Sequence, residues 1–140
     1  MTSFSALAAK LEKRVAVVSD AANADKKEAA RAVLADLVLV TPVDTSRAVS
    51  NWQIGVGVKP ESELAPYFPG RRGSTAELSS NTALSVGLSK IEQVQPGQPI
   101  FISNLTPYIG ELDSGSSRQF AGGFRARATI VAKNAIGGAV

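Results

Sequence analysis

The chain contains neither cysteine nor histidine. Without cysteine there is no disulfide bond and no thiolate to act as a nucleophile or metal ligand. Without histidine the chain lacks the commonest general base and the commonest metal ligand. These two absences exclude catalysis by a Ser–His or Cys–His pair, and they exclude zinc sites built from these two residue types.

Long apolar runs are missing as well. No stretch approaches the roughly 20 consecutive apolar residues that cross a bilayer. The opening segment MTSFSALAAKLEKRVAVV lacks a basic start followed by a continuous apolar run, so we expect no signal peptide. The sequence therefore predicts no membrane partner and predicts folding in a cytoplasm.

Positive charge is in small excess, with 15 Lys and Arg against 12 Asp and Glu and a net charge of +3. An excess this small is not typical of a dedicated nucleic-acid binder. The aromatic residues are few and do not alternate with basic ones, as they do in many single-strand binders. Five arginines remain candidates for contact with DNA or with acidic groups of a partner, although salt bridges between subunits or a solvated face are favoured: Arg71, Arg72, Arg118, Arg125 and Arg127.

The first forty residues predict one long helix over residues 4–40. Apolar side chains recur there at three- and four-residue spacing, and neither glycine nor proline occurs before Pro42. Helices avoid the residue before a proline, so Thr41 should end this one. The apolar stripe weakens at residues 19–25, where a break capped by Asn23 or Asp25 is an alternative.

The remaining segments alternate between strands, loops and shorter helices. A half-buried strand is predicted from Asn51, with one face formed by Trp52, Ile54, Val56 and Val58. Residues 59–73 form a long loop whose large apolar anchors are Tyr67 and Phe68. The next helix should begin with a capping box at Ser74 and Glu77 and run to about Val94, or end early before a strand at residues 83–88.

The last forty residues predict a strand at residues 98–104 and a single helical turn after Pro107. Residues 124–135 fit either a helix or a closing strand, because Thr129, Ile130 and Val131 are β-branched. The predicted fold class is α+β: a long N-terminal helix packed on a small antiparallel sheet, with extended loops, in a single domain over residues 1–140.

Few residue patterns in the chain suggest catalysis. Glu111 and Asp113 are two apart and point in different directions on a helix, which does not suit paired carboxylates. The segment GRRGST, residues 70–75, precedes a helix and could attract an anion, but it lacks the spacing of a phosphate-binding loop. The residues therefore predict no enzyme, no metal and no cofactor. A small phosphate-, nucleotide- or DNA-binding module is kept as the alternative.

Two blocks of sequence resemble a known pattern. TPVDTSRAVSNWQIGVG, residues 41–57, and FISNLTPYIGELDSGSSRQFAGGFRARA, residues 101–128, are similar in content and order to blocks of the tail-completion or minor tail (neck) proteins of tailed bacteriophages. The long helix before the first block also fits. Ser46 departs from the pattern where glycine is usual, and Phe120 and Gly122 stand near positions that often carry Ala-Pro.

The resemblance implies a structural virion protein at the head–tail junction, made in the bacterial host cytoplasm. Such proteins form rings, commonly hexameric, that join the portal-side connector to the tail tube, and DNA passes through the lumen. The loops at residues 59–73 and 113–123 would then order on assembly. The expected subunit or partner contacts are Pro42, Asp44, Tyr67, Phe68, Tyr108, Glu111, Asp113 and Phe120.

Overall fold

A computed structural model describes residues 4–115, 120 and 122–137 of the chain. Among them it contains the following helices and strands: α1 (Phe4–Val40), α2 (Arg47–Ser50), β1 (Trp52–Val56), α3 (Ala76–Glu92), β2 (Ile100–Asn104), α4 (Ile109–Asp113) and α5 (Phe124–Ala135). The predicted α+β fold class is confirmed, because α1 packs against a two-stranded antiparallel sheet and the other helices. The short helix α2 was not predicted.

The long helix α1 is continuous, so the alternative of a break at residues 19–25 is wrong. Asn23 caps no second helix; its side-chain amide donates to the Val94 carbonyl at 3.2 Å. The ammonium groups of Lys26 and Lys27 donate to the carbonyls of Gln98 and Glu92 at 2.6 and 3.0 Å. The apolar stripe weakens here because polar side chains of α1 bond to backbone carbonyls at the end of α3 and in the segment that follows it.

The core is built on the C-terminal half of α1. Leu34 is completely buried there, and Gly87 lies opposite it on α3. A Cβ atom on Gly87 would clash with Leu34 Cδ2 and would lie 3.2 Å from Ile54 Cγ1. Glycine normally weakens a helix, but here it lets α1, α3 and β1 approach closely. Helix α3 runs through Gly87 without interruption, so the alternative strand at residues 83–88 is wrong.

The sheet pairs β1 with β2 in antiparallel register, with Ile54 opposite Ile102 and Trp52 opposite Asn104. Trp52 and Ile54 are buried against the helices as predicted. Val58 is 70% exposed, so its placement on the buried strand face was wrong. The strand ends earlier because Gly57, with a φ of 77°, turns the chain away before Val58.

Helix α5 closes the core at Trp52, so the strand alternative for residues 124–135 is wrong. The Phe124 ring meets the indole edge-on, with centroids 5.2 Å apart and planes at 71°. The indole Nε1 of Trp52 donates to Thr41 Oγ1 at 2.7 Å. The single tryptophan therefore links the end of α1, the first strand and the last helix.

The start of α3 differs from the predicted capping box. The cap residue is Thr75, and its side chain makes no capping hydrogen bond. The Thr75 hydroxyl donates instead to the Phe68 carbonyl at 2.5 Å, while Ser74 Oγ accepts from the Arg71 backbone N–H at 3.2 Å. The capping box fails because both hydroxyls bond to the preceding loop.

Replacement of Gly87 by alanine tests the close approach of α1 and α3. We expect Gly87→Ala to lower the free energy of unfolding by roughly 1–3 kcal/mol, because the added methyl group overpacks a filled core. Gly110→Ala is the matched control, since a Cβ there meets nothing within 4 Å. Urea denaturation should show a loss for Gly87→Ala alone, and equal effects of the two changes would contradict this packing.

Candidate functional site

The loop at residues 59–73, named the strap here, is bound along α2 and β1. The side-chain amide of buried Asn51 donates to the carbonyls of Arg47 and Leu64 at 2.8 and 2.9 Å, and its Oδ1 accepts from the Leu64 backbone N–H at 2.7 Å. Gln53 adds a bond to the Ser62 carbonyl at 2.8 Å. The expectation that this loop orders only on assembly is therefore wrong, because the chain's own polar groups already hold its backbone.

The second half of the strap is held by two buried serines. Ser50 Oγ accepts from the Tyr67 backbone N–H at 3.0 Å, and Ser79 Oγ accepts from the Phe68 backbone N–H at 3.1 Å. The Tyr67 side chain is half-buried and packs against the core, and this burial raises its pKa. Phe68 remains exposed. Of these two predicted contact residues, Phe68 is the more accessible to a partner.

The Arg71–Arg72 turn binds Asp44. The backbone N–H of Arg72 donates to Asp44 Oδ1 at 2.6 Å, and that of Gly73 donates to the Asp44 carbonyl at 2.9 Å. The N–H of Arg71 is used by Ser74. The backbone donors that could cradle a phosphate are thus occupied from within the chain. Both arginine side chains are exposed and form no ion pair with the described residues.

The two blocks that carry the resemblance meet at one cleft, named the joint cleft here. It has a volume of about 460 Å³ and is lined by Pro42, Val43, Asp44, Thr45, Arg47, Tyr108 and Leu112. Residues more than sixty positions apart in the sequence are therefore neighbours in the fold. Three of the predicted contact residues, Pro42, Asp44 and Tyr108, share this surface.

Arg47 joins three segments at the joint cleft. Its guanidinium carbon lies 5.7 Å from the centre of the Tyr108 ring, within the range of a cation–π contact. Its Nε and Nη2 donate to the two carboxylate oxygens of Glu63 in the strap at 2.5 and 3.1 Å. Sequence reasoning missed Arg47, because nothing in the first block indicates that its side chain faces Tyr108.

The charges at the joint cleft shift the pKa values of their neighbours. The hydrogen bond between Arg47 and Glu63 raises the pKa of the guanidinium and lowers the pKa of the carboxyl group. Burial raises the pKa of Tyr108, and the positive charge of Arg47 opposes that rise. At neutral pH the cleft therefore presents a guanidinium–carboxylate pair beside a neutral phenol.

Ser46 occupies a backbone conformation that favours glycine. Its φ of 69° lies in the left-handed region, which costs a residue with a Cβ atom roughly 1–2 kcal/mol. The buried Ser46 hydroxyl lies 2.9 Å from Thr75 Oγ1. This position is the one where the resembled pattern has glycine, and the hydrogen bond to Thr75 offsets part of the backbone strain.

The second block contains contacts that fix the start of α5. Asp113 Oδ1 accepts from the Phe124 backbone N–H at 2.7 Å, and the Asp113 carbonyl accepts from Gly123 at 2.8 Å. Gly122 has a φ of 97°, and a Cβ atom there would clash with that carbonyl. The Phe120 ring stacks on Phe124 with centroids 4.6 Å apart. Asp113 and Phe120, expected at an interface, are thus engaged within the chain.

The remaining predicted residues are spread over the surface. Arg127 donates to Asp36 on α1, with Nη2 2.9 Å from Oδ1, so one expected partner contact is an intramolecular salt bridge. Arg125 and Glu111 are exposed. Arg118 lies outside the described residues. Of the candidate arginines that the structure describes, Arg127 is therefore paired within the chain, and Arg71, Arg72 and Arg125 are exposed without an ion pair to a described residue.

The N-terminal part of α1, residues 4–18, is named the arm here. Every residue of the arm is exposed. Five apolar side chains recur on one side of it at three- and four-residue spacing, and they are 48% to 92% exposed: Phe4, Leu7, Leu11, Val15 and Val18. The spacing correctly predicted the helix, but it could not show that this apolar face has no cover within the described chain.

Comparison of the chain with protein-family models, curated proteins and solved structures gives no match. Within residues 4–115, 120 and 122–137, no three acidic side chains are grouped so that they could hold a metal ion. No helix in these ranges has the length and apolar character needed to cross a membrane.

The tyrosine pKa values provide a test of the joint cleft. We expect Arg47→Gln to raise the pKa of Tyr108, because the variant removes a positive charge that stabilises the phenolate. Tyr67 should be unaffected, and Tyr67→Phe and Tyr108→Phe assign the two steps of an ultraviolet tyrosinate titration. Because burial raises both folded-state pKa values, their contribution to stability is present below the unfolded value and is lost as pH rises through the folded values. An unchanged Tyr108 titration would show that the two side chains do not interact.

Two substitutions at position 46 separate backbone strain from hydrogen bonding. Ser46→Ala and Ser46→Gly both remove the hydroxyl group, but only glycine relieves the left-handed backbone. We therefore expect the glycine variant to be more stable than the alanine variant by roughly 1–2 kcal/mol in urea denaturation. Equal stabilities would mean that position 46 does not hold a positive φ in solution.

Proposed function

We propose that this chain is a structural virion protein that assembles with copies of itself into a ring at the head–tail junction of a tailed bacteriophage. The ring joins the portal-side connector to the tail tube and lets DNA pass through its lumen. The phage assignment rests on the resemblance of residues 41–57 and 101–128 to tail-completion and minor tail proteins. The single structural observation that carries the self-assembly is the exposed arm.

Burial of the arm would contribute a large favourable free energy to assembly. Complete burial of a Leu, Val or Phe side chain contributes roughly 1.5–3 kcal/mol, and five such side chains on one face of the arm are largely exposed. In proteins most helical stability comes from packing of an apolar face, and the arm has no such packing within the described residues. A partner that covers the stripe therefore stabilises both the arm and the assembly.

The joint cleft supports the same proposal. It brings the two resembled blocks together on one outer surface, where Pro42 and Tyr108 lie beside the Arg47–Glu63 pair. Aromatic residues and arginine are enriched at the centres of protein interfaces. A connector or tail-tube subunit that docks at the joint cleft would contact both blocks together.

Three exposed arginines suit a channel through which DNA passes without being bound tightly. Arg71, Arg72 and Arg125 are exposed and form no ion pair with the described residues. Every phosphate contact strengthens DNA binding and its dependence on salt, so a few scattered cations favour weak, mobile contact. We propose a hexamer as the ring, as the resemblance implies.

The alternative phosphate- or nucleotide-binding module has less support. Its candidate loop, residues 70–75, directs the N–H groups of Arg72 and Gly73 at Asp44. A phosphate would have to compete with the Asp44 carboxylate for the Arg72 N–H and with the Asp44 backbone carbonyl for the Gly73 N–H. We therefore do not develop this function further.

Light scattering and negative-stain microscopy test self-assembly directly. We expect the parent protein to form rings, alone or on addition of its connector, and Leu11→Glu to stay monomeric because a carboxylate in the apolar stripe opposes its burial. Val17→Glu is the matched control, since Val17 is 69% exposed on another side of the arm and its variant should still assemble. All three proteins should unfold at the same Tm as monomers, because the arm lies outside the core.

Joining of heads to tails tests the virion role. Heads and tails from particles that lack this protein should join when the parent or Val17→Glu protein is added, and should stay separate with Leu11→Glu. A parent protein that remains monomeric with heads and tails present, and that joins nothing, would refute the proposed function.

A further inference from the structure

A second apolar surface, which no side chain of the described residues fills, lies at the opposite end of α1 from the arm. It is a groove of about 610 Å³ between α1, β2, α4 and α5, named the α5 groove here. Core residues Trp52 and Phe124 form part of its lining, together with Leu105, Ile109 and Ala128. The groove thus opens onto the core itself, which makes it suited to an apolar occupant.

The arm cannot fill the α5 groove of its own chain. The groove begins on α1 at Val33, and the arm ends at Val18. Because α1 is one unbroken helix, the fifteen residue steps from Val18 to Val33 hold the two surfaces about 22 Å apart or more at roughly 1.5 Å per residue. An arm that fills this groove must come from another copy of the chain.

The chemistry of the arm tip fits the groove. Residues 4–9, FSALAA, carry no charged side chain, and the first charge is Lys10. Phe4, Leu7 and Leu11 have the spacing with which amphipathic helices anchor in apolar grooves. Three charged residues line the groove: Lys59 and Arg125 are exposed, and the carboxylate of half-buried Asp113 accepts from the Phe124 backbone N–H. The tip can therefore enter the groove without taking a charge of its own out of water.

Pairing of two arms with each other fits less well. In a parallel pair it would place Lys10, Lys13 and Arg14 of one arm beside the same residues of the other, with Glu12 as the single opposing charge among residues 10–14, and like charges repel. A contact between identical surfaces also closes as a dimer, whereas a contact between two different surfaces repeats around a ring. Arms gathered on the ring axis would, in addition, occupy the lumen.

We propose that the arm of each copy lies in the α5 groove of the next copy, so that the arm-in-groove contact repeats around the ring. This inference rests on the proposed function, since it names the surfaces through which the ring forms. One end of α1 supplies the core of its own subunit, and the other end covers the core of its neighbour.

Disulfide trapping tests this contact, and the absence of natural cysteine makes introduced pairs unambiguous. Leu7→Cys or Leu11→Cys is combined with Ala128→Cys in the full chain, and the assembled protein is oxidised mildly. We expect a ladder of covalent oligomers that ends at the ring size, because every chain carries both halves of the bond. Mixing two single-cysteine proteins, one altered in the arm and one at Ala128, should give covalent dimers only.

The controls distinguish failure of this contact from failure of the ring. Val17→Cys with Ala128→Cys should give no ladder, and Leu7→Cys alone should give no covalent dimer. If light scattering shows rings but neither arm position gives a ladder with Ala128→Cys, the arm lies elsewhere and the inference is overturned while the proposed function stands. A dimer from Leu7→Cys alone would show arm–arm pairing instead. If the parent is monomeric under all conditions, both proposals fail.

Discussion

The structure depends on the close approach of Leu34 on α1 to Gly87 on α3. A side chain at position 87 would meet Leu34 and Ile54, so the absence of one lets two helices and a strand share a single core. Closely packed protein interiors do not tolerate an added methyl group without rearrangement. This contact also determines where α1 is held: its C-terminal half is fixed in the body and its N-terminal part extends beyond it.

Much of the first resembled block serves the scaffold. The Thr41 hydroxyl accepts from the Trp52 indole, Asp44 binds the Arg71–Arg72 turn, and Asn51 holds the strap through two hydrogen bonds to Leu64. Buried polar groups such as those of Thr41 and Asn51 are costly unless they are satisfied, and when satisfied they specify one arrangement of the backbone. What the block leaves for a partner is its outer edge at the joint cleft, where Arg47 contacts Tyr108.

Two apolar surfaces are left open by the described residues, and the proposed assembly depends on both. The arm and one wall of the α5 groove belong to α1, and the stiffness of that helix keeps them apart. In the proposed ring, each chain exposes both a donor and an acceptor surface, cannot bring the two together, and would bury them by association with further copies. The exposed stripe of the arm is then the surface through which the proposed ring would form.

The sequence by itself determined the elements whose signals are local: the extent of α1 to Val40, the strand at Trp52, and the α+β class. It also predicted Pro42, Asp44 and Tyr108 as contact residues, and these three lie at the joint cleft. Tertiary structure alone decided what those elements contact. Periodicity identifies the apolar face of a helix but not whether anything covers it, so Leu11 and Leu34 look alike in sequence and differ completely in burial. Gly87 predicts a weakened helix from sequence alone, and only the fold shows that Leu34 lies opposite it. The contact of Arg47 with Tyr108 likewise depends on a fold that brings distant segments together.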